Sequence, residues 1–72
     1  STLINYFVPM SDNIKIKLFN SIGQEMMVLY DGFQSAGNHS LRFTNPNLSS
    51  GAYFYQLISS SSRISKKMVL IR

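Results

Sequence analysis

The stretch at residues 50–58, Ser-Gly-Ala-Tyr-Phe-Tyr-Gln-Leu-Ile, places the tightest limit on what this chain can fold into. It opens on Gly51 and runs through aromatic and branched residues that suit a pleated, packed surface. Successive strand side chains point to opposite faces, so Tyr53, Tyr55 and Leu57 share one face. Ala52, Phe54, Gln56 and Ile58 share the other. Both faces are largely apolar, which predicts a central strand covered on both sides. So short a strand cannot bury itself, and the rest of the chain must supply the cover.

That cover is limited. Seventy-two residues allow one domain. A chain of this size buries only about 60% of its unfolded surface, so marginal stability is expected. There is no cysteine, which excludes a disulfide and a thiolate zinc site. The chain opens at Ser1 without methionine and has no long apolar run, so we expect a processed piece or fragment of something longer. Seven basic and three acidic residues give a net charge of +4. The basic residues are scattered, with no arginine-rich block and no recognition helix, so a nucleic-acid partner is not expected. Lysines on the wet face of a sheet, blunting its edges, explain the charge better.

Taken in order, residues 2–8 form a strand candidate stopped by Pro9, which cannot donate to a ladder. Met10, Ser11, Asp12 and Asn13 carry turn chemistry. Residues 14–20 alternate cleanly, with Ile14, Ile16 and Leu18 against Lys15, Lys17 and Phe19. Residues 20–23 form a turn in which Gly23 is available for a positive φ. Residues 24–30 tolerate helix by composition, but seven residues between glycine-containing turns favour a strand. Asp31-Gly32 predicts a turn, and residues 33–37 a loop whose Phe33 caps the core. Residues 38–44 alternate His39, Leu41 and Phe43 against Ser40, Arg42 and Thr44. The loop at 45–50 (Asn45, Pro46, Asn47, Leu48, Ser49, Ser50) turns only Leu48 inward. Residues 59–62 make a polar hairpin tip, and residues 64–71 close the chain as a last strand.

Short strands at even spacing, with turns between them and no helix, indicate an all-β antiparallel sandwich of six to seven strands. Its expected core is Ile14, Ile16, Leu18, Leu41, Phe43, Tyr53, Tyr55, Leu57 and Val69.

Catalytic chemistry is missing from the sequence. His39 is the only neutral-pH base, and the acids Asp12, Glu25 and Asp31 all sit at or near turns. Ser40 follows His39, but neighbours on a strand point apart, so the two make no dyad. No nucleophile elbow, phosphate-binding loop or metal-spaced histidine pair occurs. We expect no catalytic residue, no cofactor and no metal. Asn38-His39-Ser40 and Asn47-Leu48-Ser49 match the N-glycosylation pattern, which carries meaning only on a eukaryotic secretory route. Met10, Met26, Met27 and Met68 read as core filler. Tyr53 and Tyr55 suit a core better than a sugar-stacking platform.

The order of motifs resembles a known family. Ile14-Lys15-Ile16-Lys17-Leu18-Phe19-Asn20-Ser21-Ile22-Gly23-Gln24-Glu25 is similar to the strand, turn, Gly, polar, Glu segment of C-terminal sorting domains of the type IX secretion system of Bacteroidetes-type bacteria. Asp31-Gly32 followed by Ala36-Gly37-Asn38-His39-Ser40-Leu41 resembles that family's next loop and strand. The block at residues 48–57 resembles its most diagnostic segment, with Gly51 and Tyr53 as structural positions and Gln56 where a basic residue is common. Lys66, Lys67, Met68, Val69, Leu70, Ile71 and Arg72 look like its terminal strand. The same pattern occurs in immunoglobulin-like domains related to the flagellar hook-capping protein.

The resemblance implies an immunoglobulin-like sandwich that acts as a non-catalytic address label at the end of an exported protein, secreted or held at the cell surface after passage through the periplasm. It implies partners in the outer-membrane secretion machinery and a sortase, with no membrane insertion. The terminal residues 66–72 are the expected recognition segment, with Val69 and Ile71 holding the strand against the sheet. Two other functions fit a small basic sandwich: a structural module that self-associates by edge pairing into a fibre or surface layer, and a carbohydrate-binding accessory module of a secreted hydrolase.

Overall fold

The computed structural model describes residues 2–44, 48–60 and 62–71. Among them are six strands and no helix: β1 (Thr2–Val8), β2 (Asp12–Phe19), β3 (Glu25–Gln34), β4 (Gly37–Phe43), β5 (Gly51–Ile58) and β6 (Arg63–Leu70). They form two antiparallel sheets. One holds β1 and β4; the other has the order β3-β2-β5-β6. The all-β sandwich expected from the alternation pattern is the observed architecture. The described chain measures 34 × 21 × 16 Å, and the thin dimension leaves room for two layers only.

The core lies between the layers. From the large sheet come Ile14, Ile16 and Leu18, then Tyr53, Tyr55 and Leu57, then Met68 and Leu70. From the small sheet come Ile4, Tyr6, Val8 and Phe43, and Leu48 turns in from its loop. Ile16 and Leu18 expose no surface at all. Leu41, expected inside, is half-buried and packs against this cluster. Ile4, Tyr6 and Val8 are not singled out by the sequence, because Leu3 and Phe7, flanking Asn5, make the opposite face of β1 largely apolar as well.

Several sequence expectations are corrected. β5 is central in its sheet but not covered on both faces: Phe54 is 36% exposed, because the two-stranded sheet covers only one side of the four-stranded one. Val69 is 59% exposed and Ile71 81%; they do not hold β6 down. Met68 and Leu70 do so, since Met68 pairs with Tyr53 and Leu70 with Gly51 on the inward face. Asp12 and Asn13 belong to β2 rather than to a turn. Asp31-Gly32 lies inside β3, with Asp31 across from Lys15 and Gly32 across from Ile14. Phe33 is exposed and caps nothing; its carbonyl accepts the Tyr30 hydroxyl at 2.8 Å. Met10 and Met26 are exposed, whereas Met68 is core and Met27 packs against it. The predicted loop residues Asn45, Pro46 and Asn47 lie outside the described residues.

β3 has two irregularities in its pairing with β2, one between Ile16 and Lys17 and one between Leu18 and Phe19. Each leaves an extra residue on β3, Leu29 and Met26 respectively, because Tyr30 and Val28 oppose consecutive β2 residues, as do Met27 and Glu25. An extra residue resets the alternation. Leu29 and Tyr30, neighbours in sequence, therefore both pack toward the core. That is why this segment shows no clean period of two.

Candidate recognition surface

The glycine and tyrosine positions of the family pattern sit at chain reversals and ties. Gly23 has φ +88°, a conformation that L side chains rarely adopt. The turn around it is built by Asn20, whose Oδ1 accepts the amides of Ile22 (3.1 Å) and Gln24 (2.9 Å). The Asn20 carbonyl accepts the Gly23 amide at 3.0 Å. This is the local side-chain capping that makes asparagine a turn residue. Gly37, with φ +127°, starts β4 across from Val8. Gly51 starts β5 across from Leu70. Tyr53 is buried, and its hydroxyl donates to the Ser49 carbonyl at 2.7 Å, tying the preceding loop to β5. Tyr55 is buried on the same face, so the two rings offer no sugar-stacking platform.

The terminal strand divides by face. Met68 and Leu70 are inside; Lys66, Lys67, Val69 and Ile71 are exposed, and Arg72 lies outside the described residues. The outward face of the large sheet can be read row by row from its register. Lys15, Ile58 and Arg63 form one row, Lys17, Gln56 and Ser65 the next, and Phe19, Phe54 and Lys67 the next. Ala52 and Val69 complete it. The result is a wet sheet face that mixes cations with exposed apolar side chains. Lys66, on the opposite side of β6, reaches the rim of the small sheet beside Asn5 and Tyr6.

Among the described residues, no carboxylate forms an ion pair with this strand. Glu25 pairs with Lys17 at 3.0 Å and Asp31 with Lys15 at 3.9 Å. Asp12 accepts both the hydroxyl and the amide of Ser60, and these bonds, with the hydroxyl contributing most, hold its carboxyl below the usual carboxylate value. That contact links the start of β2 to the tip of the β5–β6 hairpin, which Ser59 and Ser62 close through an amide-to-carbonyl bond of 2.9 Å.

His39 is half-buried on β4 and stacks on Tyr6 with ring centroids 5.5 Å apart. Its Nε2 lies 2.6 Å from the Ser35 carbonyl, which can only accept, so that nitrogen carries the proton. Ser40 points to the other face and donates to Asn5 at 2.8 Å. Histidine and serine therefore stand apart, as the strand period requires. Burial, followed by the nearby Tyr30, raises the Tyr6 hydroxyl above its ordinary pKa.

A family model described as the secretion system C-terminal sorting domain matches residues 3–71. No curated protein and no solved structure matches the chain. The match spans the whole sandwich, from β1 to the residue after β6. The family consists of sorting signals read by the type IX secretion machinery, and it marks proteins that are secreted or displayed on the cell surface. This chain belongs to the C-terminal sorting domain family of that secretion system.

Proposed function

We propose that the chain is the C-terminal part of a longer exported protein and serves it as a non-catalytic address. The family match over residues 3–71 carries this reading. After periplasmic passage, the folded sandwich meets a receptor of the outer-membrane machinery through its terminal strand. Within Lys66, Lys67, Met68, Val69, Leu70, Ile71 and Arg72, the side chains open to a receptor among the described residues are Lys66, Lys67, Val69 and Ile71. A sortase then removes the domain, and the cargo is anchored at the surface or released.

The test is a periplasm-directed reporter fused to the domain in a host that carries the secretion system. Reporter recovered outside the cell should have lost the mass of the domain. Recovery at full fused mass would remove the sortase from the account. The double variant Lys66→Ala, Lys67→Ala changes only exposed side chains and should fold; its retention in the periplasm is the expected result. Normal export of that folded variant would take the basic pair out of the signal.

A further inference from the structure

We propose that the free edge of β6, with the apolar groove between β6 and β1, takes up an extended, acidic segment of a partner polypeptide by strand addition. The proposal rests on the sorting reading for who that partner is, namely a component of the secretion machinery. It rests on the structure for where the partner binds and what chemistry it presents.

The large sheet has two edges, β3 and β6. A sheet edge presents unpaired amides and carbonyls, and proteins blunt such edges with bulges or charge. β3 is blunted by its two pairing irregularities. β6 has no such irregularity and is guarded by charge alone: its eight residues pair with β5 in unbroken register from Arg63↔Ile58 to Leu70↔Gly51, and its cations deter a like-charged strand but not an acidic one. A regular ladder on one side leaves a regular row of backbone groups on the other, the template that strand addition needs.

A mostly apolar pocket of about 150 Å³ lies along this edge, lined by Tyr6, Phe7, Pro9, Tyr55, Leu57 and Ile64, with the polar Asn5 and Lys66 also in its walls. An apolar cavity of ~150 Å³ takes a benzene-sized group. An incoming strand places alternate side chains on each face of the sheet. Those on the inner face would enter this pocket, and those on the outer face would lie beside Lys67 and Val69.

Charge selects the occupant. Arg63, Lys66 and Lys67 all belong to β6 and enter no ion pair among the described residues. All three Asp and Glu side chains are engaged elsewhere, two with Lys15 and Lys17 and one with Ser60. A segment alternating apolar and acidic residues matches this edge. A second copy does not: symmetric β6–β6 pairing sets the same cations against each other, and β6–β3 pairing meets the irregular strand.

The experiment uses the 15N-labelled 72-residue chain and end-blocked eight-residue peptides, one alternating valine and glutamate, the other valine and lysine. In low salt, the acidic peptide should shift the amides of β6 and of the pocket residues Tyr6 and Tyr55, leave β3 unmoved, and slow hydrogen exchange along β6. The basic peptide should bind at least ~10-fold more weakly, a difference that fades as salt screens it. The double variant Lys66→Glu, Lys67→Glu, checked as folded by the same spectrum, should exchange the two preferences. Absence of shifts at millimolar acidic peptide, shifts centred on β3, or β6 shifts that arise on concentrating the chain alone would overturn the proposal. The last would make a second copy the occupant. Reporter export without peptide binding sinks this inference and leaves the sorting reading standing; binding without export does the reverse.

Discussion

Met68 on β6 lies directly across from Tyr53 on β5, and both side chains are buried. The side-chain period of a strand is two, so this one pairing fixes every other residue of β6. Leu70 goes in with Met68, and Lys67 and Val69 go out. The strand is held by Met68 and Leu70, while Lys67 and Val69 are left exposed.

Replacing Met68 with alanine should therefore destabilise the fold by about 2–5 kcal/mol, the range for truncating a large buried side chain. Val69→Ala, an exposed change, should fall within about 0.5 kcal/mol of the parent. Urea melts of the two variants decide it. Equal midpoints, or a larger loss at Val69, would place β6 in the other phase.

The sequence could not supply that phase. In residues 64–71 the run Met68, Val69, Leu70, Ile71 is apolar at every position, so either alternate pair could face inward. Where lysines interrupt the pattern, as in residues 14–18, the inward set Ile14, Ile16 and Leu18 was plain and is buried as expected. The Asp31-Gly32 signal misled for a different reason. Tyr30, two residues away on the same face, lies over Gly32, and Lys15 pairs with Asp31, so tertiary neighbours hold a turn sequence extended. The positive φ expected at Gly23 is observed, because that turn is determined by contacts within five residues.

Two glycines separate local conformation from available space. A Cβ at Gly23 meets nothing within 4 Å, yet φ +88° opposes it, so Gly23→Ala should cost about 1–2 kcal/mol. At Gly32 no such φ applies, and a Cβ would touch the Tyr30 hydroxyl at 3.4 Å, an ordinary contact. Gly32→Ala should stay within about 1 kcal/mol and can be stabilising, since it restricts the unfolded chain. Thermal melts that rank the two in the opposite order would contradict the φ argument.

Ile16 exposes no surface and pairs with both Tyr30 and Leu57. Ile16→Ala should cost about 2–5 kcal/mol, a large share of the total stability of a domain this small, and should abolish its cooperative melt. Lys15→Ala removes an exposed ion pair worth about 0–1 kcal/mol and should leave the melt intact. Indistinguishable melts for the two variants would move Ile16 out of the core.

Acid should loosen the tie between β2 and the β5–β6 hairpin. The Asp12 carboxyl is lowered in the folded state, so its contribution is present above the unfolded value near 3.8 and is lost as pH falls through the folded value. The amide proton of Ser60, which donates to that carboxylate, should titrate with a midpoint below 3.8. Asp12→Asn should abolish the titration. A midpoint at or above 3.8 would mean the contact does not persist in solution.

The central claim is that this sandwich is an address for export, and the direct measurement is where a reporter ends up. A periplasm-directed reporter with and without the domain, in a host that has the secretion system, is assayed as the fraction found at the surface or in the medium. The account predicts that most of the domain-bearing reporter leaves the cell, while the bare reporter stays in the periplasm. A domain-bearing reporter that is folded, intact and retained in the periplasm would contradict it.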